Sequence, residues 1–183
     1  MRSSALPVLA AAGLLALTSP AAAAWQGYIS HTLGFAFAAP GELKMEKATY
    51  KGAVAGTRDE TIYSTVADDV EYRAIVIDTR DIANQAATLT GEAEYIFQDG
   101  KKLLMDTFGR VDRHFGRKLT VDLPNGGRKI ACFYFINGRI ISLEATVRPG
   151  GDAGSPELAR FVDSITFYPE RAAEEDRELP LPK

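Results

Sequence analysis

Asn137-Gly138 stands between two runs dense in β-branched and aromatic residues, and this pair constrains the fold more than any other feature of the chain. Both residues readily take the positive φ of a tight I′ turn, so the stretch from Arg128 to Arg148 (RKIACFYFINGRIISLEATVR) reads as one long β-hairpin. The turn fixes the register: Ile136 pairs with Arg139, Tyr134 with Ile141, Cys132 with Leu143 and Ile130 with Ala145. Paired residues share a face, so these side chains make a nearly continuous apolar surface. The opposite face carries Phe135 with Ile140, Phe133 with Ser142, Ala131 with Glu144 and Lys129 with Thr146, apolar near the turn and polar at the far end. Such a hairpin belongs mid-sheet, with one face fully covered and the other partly covered.

The amino-terminal segment is of another kind. Met1-Arg2 makes a short basic start, Ala5 to Leu17 an apolar stretch, and Ala22-Ala23-Ala24 the small-residue pattern after which a signal peptidase cuts. Residues 1–24 are therefore expected to be a signal peptide cleaved after Ala24, which implies a periplasmic or secreted protein of the bacterial envelope. Pro7 and Gly13 interrupt the apolar stretch, and it falls short of the roughly 18 to 20 residues that span a bilayer. The mature chain is thus expected to have no membrane span. No cysteine follows the small residues to carry a lipid, and no Arg-Arg pair precedes them.

The remaining length suits one domain with a core that needs no staples, in keeping with a single cysteine, Cys132. The formal net charge is −3, and Lys and Arg are scattered through the chain, so nothing favours nucleic acid as a partner.

Period-two patterns predict strands at 27–30, 33–38, 43–50, 57–66 and 70–79, the last two joined by a turn at Ala67-Asp68-Asp69. The period then changes. Leu89, Ala93, Ile96, Phe97, Leu103 and Leu104 form one apolar stripe, predicting a helix over roughly 88–106, with Glu92 and Glu94 near its start. Strands follow at 111–115 and 118–123, the second ending at Pro124-Asn125-Gly126-Gly127. After the hairpin, Pro149 to Gly154 is a loop. Ser155 caps a second helix over 155–164 with Pro156 at its first position, and 165–168 closes as a short strand. From Pro169 the apolar content collapses, predicting a disordered tail over 169–183. The sum is a single α+β domain over 25–168: an antiparallel sheet of about 7–9 strands covered by two main helices.

Tyr28-Ile29-Ser30 followed by Gly34-Phe35-Ala36-Phe37 and Pro40, with Phe161, Ser164-Ile165 and Phe167 at the other end, resembles the two ends of PsbP-like and Mog-like domains. The resemblance runs from Tyr28 to Tyr168. It implies a central antiparallel sheet between helices and, as a rule in that family, protein binding without catalysis. The chain departs from the pattern where a tryptophan often follows the early proline; Gly41-Glu42-Leu43 stands there. No functional motif of the family maps onto residues here.

Residues able to carry chemistry are few. His31 and His114 lie in different predicted elements without a ligand-spaced neighbour, which points to a turn residue and a solvated strand edge. Cys132 alternates onto the apolar face with Ile130 and Tyr134, the position of an inert buried thiol. Asp68-Asp69 with Glu71, and Asp59-Glu60, lack the ordered offsets of a calcium loop and read as solvated turns. A carboxylate pair that meets only in space is not selected by the sequence. Ser19, Ser30, Ser64, Ser142, Ser155 and Ser164 all lack the Gly-x-Ser-x-Gly elbow, and the glycines of 149–154 lack the phosphate-binding frame. Trp25 and Tyr28 are left as contributors to a contact surface. No catalytic, cofactor-binding or metal-ligating residue is assigned. The expectation is an exported non-catalytic module that binds a protein or envelope component through a sheet edge or the loop around Gly150. The alternatives are a small periplasmic hydrolase and a carrier of a small apolar ligand.

Overall fold

The computed structural model describes residues 24–169 apart from 53, 83 and 99. The expected leader, except Ala24, and the tail beyond 169 lie outside the described residues. The chain runs β1 (Trp25–Ser30), β2 (Phe35–Pro40), β3 (Lys44–Gly52), β4 (Gly56–Ala67), β5 (Val70–Asp78), α1 (Gln85–Gln98), β6 (Lys102–Val111), β7 (His114–Asp122), β8 (Arg128–Ile136), β9 (Arg139–Val147), α2 (Pro156–Val162) and β10 (Thr166–Phe167).

The hairpin holds in every pairing predicted for it, from Ile136 opposite Arg139 to Lys129 opposite Thr146. Asn137 at φ 49° and Gly138 at φ 72° make its turn. Gly138 also has no room for a side chain, since a Cβ there would stand 2.5 Å from Arg80 Cγ. Asp68 (φ 49°) and Asp69 (φ 60°) turn the β4–β5 hairpin in the same way. The large sheet is antiparallel throughout, in the order β3-β4-β5-β9-β8-β7-β6, so β9 is its middle strand.

The layering differs from the expected sheet under two main helices. Among the described residues ten strands form two antiparallel sheets, the second being β1-β2-β10. Phe35, Phe37 and Ala39 alternate inward from β2, so this small sheet, together with the seven-residue α2, covers one face of the large one. Its core joins Cys132, Tyr134, Leu143 and Val147 to Leu158, Phe161, Val162 and Phe167. The other face lies under α1, where Ala93, Leu89 and Tyr95 meet Ile62, Ile75, Leu119, Phe133 and Ile140.

α1 also starts and stops earlier than the apolar stripe predicts. Asn84 caps it, its Oδ1 accepting from the Ala87 amide at 3.1 Å, so Glu92 falls mid-helix and not in the first turn. Beyond Gly100, the Lys101 amide donates to the Asp122 carbonyl at 2.7 Å and the chain enters β6. Leu103 and Leu104, expected on the helical stripe, are half-exposed strand residues, while the side chains of Ile96 and Phe97 lie outside the described set. Residues 111–115 do not form a strand of their own: Asp112, at φ 52°, and Arg113 are the turn of the β6–β7 hairpin, closed by Val111 opposite His114. The second helix is capped as predicted, Ser155 Oγ accepting from the Glu157 amide at 3.3 Å.

Candidate functional site: a polar cavity and an aromatic sheet edge

The face of the large sheet under α1 is apolar around Phe133 and Ile140 and turns polar toward one end. Strand alternation sends Glu60 from β4, Arg73 from β5, Lys129 from β8 and Ser142 and Glu144 from β9 to this side. Tyr50 from β3 and Glu92 and Tyr95 from α1 close over them, leaving a cavity of about 100 Å³ whose remaining walls are Ile75, Ile77 and Ile140.

Within it the polar groups are unequally satisfied. The Tyr50 phenol donates to Glu92 Oε1, and the rings of Tyr50 and Tyr95 meet at 58° with centroids 5.4 Å apart. Lys129 Nζ lies 3.5 Å from Glu144 Oε2. Ser142 is only 5% exposed, and its Oγ, sealed from solvent, has no hydrogen-bond partner among the described residues. Glu92 is 4% exposed; burial, and then the charge of Glu144, push its carboxyl up to about 8, so it is protonated at neutral pH. Burial also raises Glu60, opposed by Arg73 and reinforced by Glu144 and Glu46.

The second feature lies on the same face at the β6 edge. Phe108 stands opposite Arg117, and Arg110 opposite Phe115, so aromatic and cation alternate across the hairpin. Phe108 is 82% exposed and Phe115 63%. The Arg117 guanidinium lies 5.6 Å from the Phe108 ring centre and that of Arg110 lies 5.7 Å from Phe115. Arg117 also pairs with Asp106. Between this hairpin and Leu89 and Thr90 of α1 runs an open groove of about 510 Å³.

The residues singled out from sequence fall elsewhere or take other roles. Cys132 is buried as expected, its thiol donating to the Val162 carbonyl at 3.2 Å and pushed up to about 12 by burial. His31 occupies the β1–β2 turn, yet its ring is tucked beside Tyr168 with both nitrogens buried and unpartnered among the described residues. His114 is no solvated edge: it is half-buried, edge-on to Phe167 at 5.2 Å. Asp59-Glu60 is not a turn but lies within β4, and Glu60 faces the cavity. Trp25 and Tyr28 are half-buried, Trp25 against Tyr72 and under Arg160, Tyr28 stacked on Phe37 and donating to the Gly41 carbonyl at 2.5 Å. Sequence reasoning missed Glu92, Ser142 and Glu144 as neighbours of Glu60. The polar far end of an otherwise covered hairpin face was the signal for Ser142 and Glu144, while Glu92 comes from α1. No group of three or more His, Cys, Asp or Glu side chains among the described residues is placed to hold a metal ion.

The architecture has a match among solved structures. The solution structure of cyanobacterial PsbP (CyanoP) from Synechocystis sp. PCC 6803 superimposes with a TM-score of 0.51 over 85% of this chain and 98% of that one, at 14% sequence identity. The fold is PsbP-like. No family model and no curated protein matches the chain by sequence. Likeness at this identity reaches the PsbP-like fold and no further, so what the chain does must be argued from its own surface. Among the described residues no helix of this PsbP-like domain is long and apolar enough to cross a membrane.

Proposed function

We propose that the chain is an exported, non-catalytic binding module that docks a protein of the bacterial envelope along its β6–β7 edge. The observation that carries this reading is the exposure of Phe108 and Phe115 side by side, each beneath an arginine. Aromatic and arginine side chains are the types enriched at protein interfaces, and large rings left in water on a monomer's surface mark contact sites. Among the described residues β6 is also the last strand of its sheet, and such an edge offers backbone groups to a partner strand. Export rests on the basic, apolar and small-residue segments of residues 1–24.

The alternatives draw less support. An apolar carrier needs space beneath the Cys132–Tyr134 face, which Phe161, Phe167 and Leu158 fill. A hydrolase acting on a sizeable substrate needs more room than the roughly 100 Å³ beside Glu60 and Glu92.

The test places a photo-crosslinking residue at Phe115 in one variant and at the exposed Thr49 of β3 in another, in the source cell's envelope. Phe115 should give a discrete adduct that Phe108→Ser abolishes, and Thr49 none. An adduct that forms equally from Thr49, or persists with Phe108→Ser, would overturn the assignment of the edge.

A further inference from the structure

We propose that the cavity beneath α1 binds a small zwitterion, a free amino acid with a short side chain, whose carboxylate is taken by Arg73 and whose ammonium is taken by Glu60. Both side chains come from adjacent strands and line the cavity, and the charge of Arg73 opposes the rise that burial causes in the Glu60 carboxyl. Neither has a salt-bridge partner within 4.0 Å among the described residues, although the neighbouring Lys129 and Glu144 reach each other. Two opposite charges that line one cavity without closing on each other leave a place for a molecule that carries both complements.

Ser142 supplies the independent sign of a missing ligand. Its Oγ is buried in the cavity wall with no partner among the described residues, and a buried hydroxyl left unsatisfied costs about 1–3 kcal/mol. A change of rotamer that turns the Ser142 hydroxyl into the cavity would offer it to a ligand ammonium or carboxylate between Glu60 and Arg73. Glu92 and Tyr50 already share a hydrogen bond, and Lys129 and Glu144 form an ion pair, so these four add little net charge of their own at neutral pH. That leaves one anion and one cation, which favours a zwitterion over a simple amine or a simple acid. Size sets the other limit. An engineered apolar cavity of about 150 Å³ admits benzene, so about 100 Å³ suits glycine or alanine and leaves no room for a long side chain. Glu60 and Arg73 are half-exposed, and Ile75, Ile77 and Ile140 are apolar walls against which a methyl group can rest.

The experiment is calorimetric titration of the full chain with L-alanine, propionate and ethylamine at pH 7, the last two presenting each half of the zwitterion alone. L-Alanine should bind in the millimolar range, each half at least about tenfold more weakly, and Arg73→Met and Glu60→Gln should each weaken alanine at least about tenfold. Both substitutions are at half-exposed positions, and unchanged circular dichroism and melting will show that each variant is folded. Absence of binding to folded wild-type chain at about 50 mM alanine would overturn the proposal. So would equal binding of ethylamine or propionate, or alanine binding indifferent to both substitutions.

Discussion

The ring of Tyr134 lies across the bare backbone of Gly116, its direct partner on the neighbouring strand: a Cβ at Gly116 would stand 2.5 Å from Tyr134 Cδ1 and 2.4 Å from the Phe133 carbonyl oxygen. Gly109, opposite Gly116 on β6, extends the same lane, with room only up to 3.1 Å from Tyr134 Oη. The two glycines let the ring lie flat and meet Phe167 edge-on at 5.1 Å, which ties the large sheet to the small one. Gly116→Val should push the ring away and destabilise the domain by about 3 kcal/mol, the upper part of the usual overpacking range. For a domain of this size that is a fall in Tm of roughly 6 to 12 °C. Gly27→Ala, where a Cβ meets nothing within 4 Å, is the control and should change stability by less than about 0.5 kcal/mol. Equal melting of the two variants would dismiss the ring-over-glycine account.

Glu92 makes stability fall as pH rises. Its carboxyl titrates near 8 in the folded chain and at the ordinary 4.5 when unfolded, so between these values the folded state holds a proton that the unfolded state has released. The slope of unfolding free energy is then negative, up to about 1.4 kcal/mol per pH unit from one group. Glu60, also raised, adds to the early part of that window. Asp78 and Asp81 act in the other direction and only in acid: their arginine partners, Arg80 and Arg58, lower both carboxyls, so their stabilisation disappears as pH falls below 4. Urea titrations at pH 5, 6.5 and 8 should show wild type weakening with pH and Glu92→Gln weakening much less, by the Glu60 contribution alone. A wild-type profile that is flat or rises across that range would contradict the burial of this carboxyl.

Cys132 should behave as packing and not as a reagent. Its thiol is enclosed, donates to the Val162 carbonyl and titrates near 12, so almost no thiolate exists at neutral pH. Labelling by a disulfide-exchange reagent in the absence of denaturant should proceed only as fast as the domain opens, and accelerate by orders of magnitude in urea above the unfolding midpoint. Prompt labelling of the folded chain would mean that α2 does not seal this site. Cys132→Ala should cost about 1 to 2 kcal/mol, for a small cavity and an abandoned carbonyl acceptor.

What the sequence made legible follows from how local the signals are. The β8–β9 register needed only Asn137-Gly138 and an alternation of period two, and the α2 cap needed only Ser155-Pro156. The end of α1 was hidden because Leu103 and Leu104 happen to continue its stripe; they belong to an edge strand, where half-exposed apolar residues are tolerated. The small sheet was misplaced for a different reason. Phe35 and Phe37 announce a strand with one buried face, but not whether it lies beside the large sheet or on top of it. The cavity was least legible, since Tyr50, Glu60, Arg73, Glu92 and Ser142 come from four strands and a helix far apart in the chain. Only the polar end of the hairpin, Lys129, Ser142 and Glu144 on a face otherwise covered, pointed there.

The last prediction concerns Trp25, the single tryptophan, as a reporter of how β1 is seated. Its ring lies 4.1 Å beneath the Arg160 guanidinium and edge-on to Tyr72, so it joins the first strand to α2 and to the large sheet. Cleavage after Ala24 would remove the Ala24 carbonyl that accepts from the Gly41 amide at 3.1 Å, but would keep the pairing of Trp25 with Pro40 and the whole ring environment. A chain beginning at Trp25 should therefore fold with blue-shifted tryptophan emission, within about 1 kcal/mol of a chain that retains Ala24, the worth of one hydrogen bond. Arg160→Ala should shift that emission to the red and cost about 0.5 to 1 kcal/mol, as expected for a cation over an aromatic face that is not fully desolvated. Trp25→Ala should cost more, about 1 to 3 kcal/mol, because half-buried ring area is lost along with the cation contact. If the chain starting at Trp25 shows the emission of a fully hydrated indole, the first strand is not held by these contacts and the small sheet needs residues ahead of Trp25 to form.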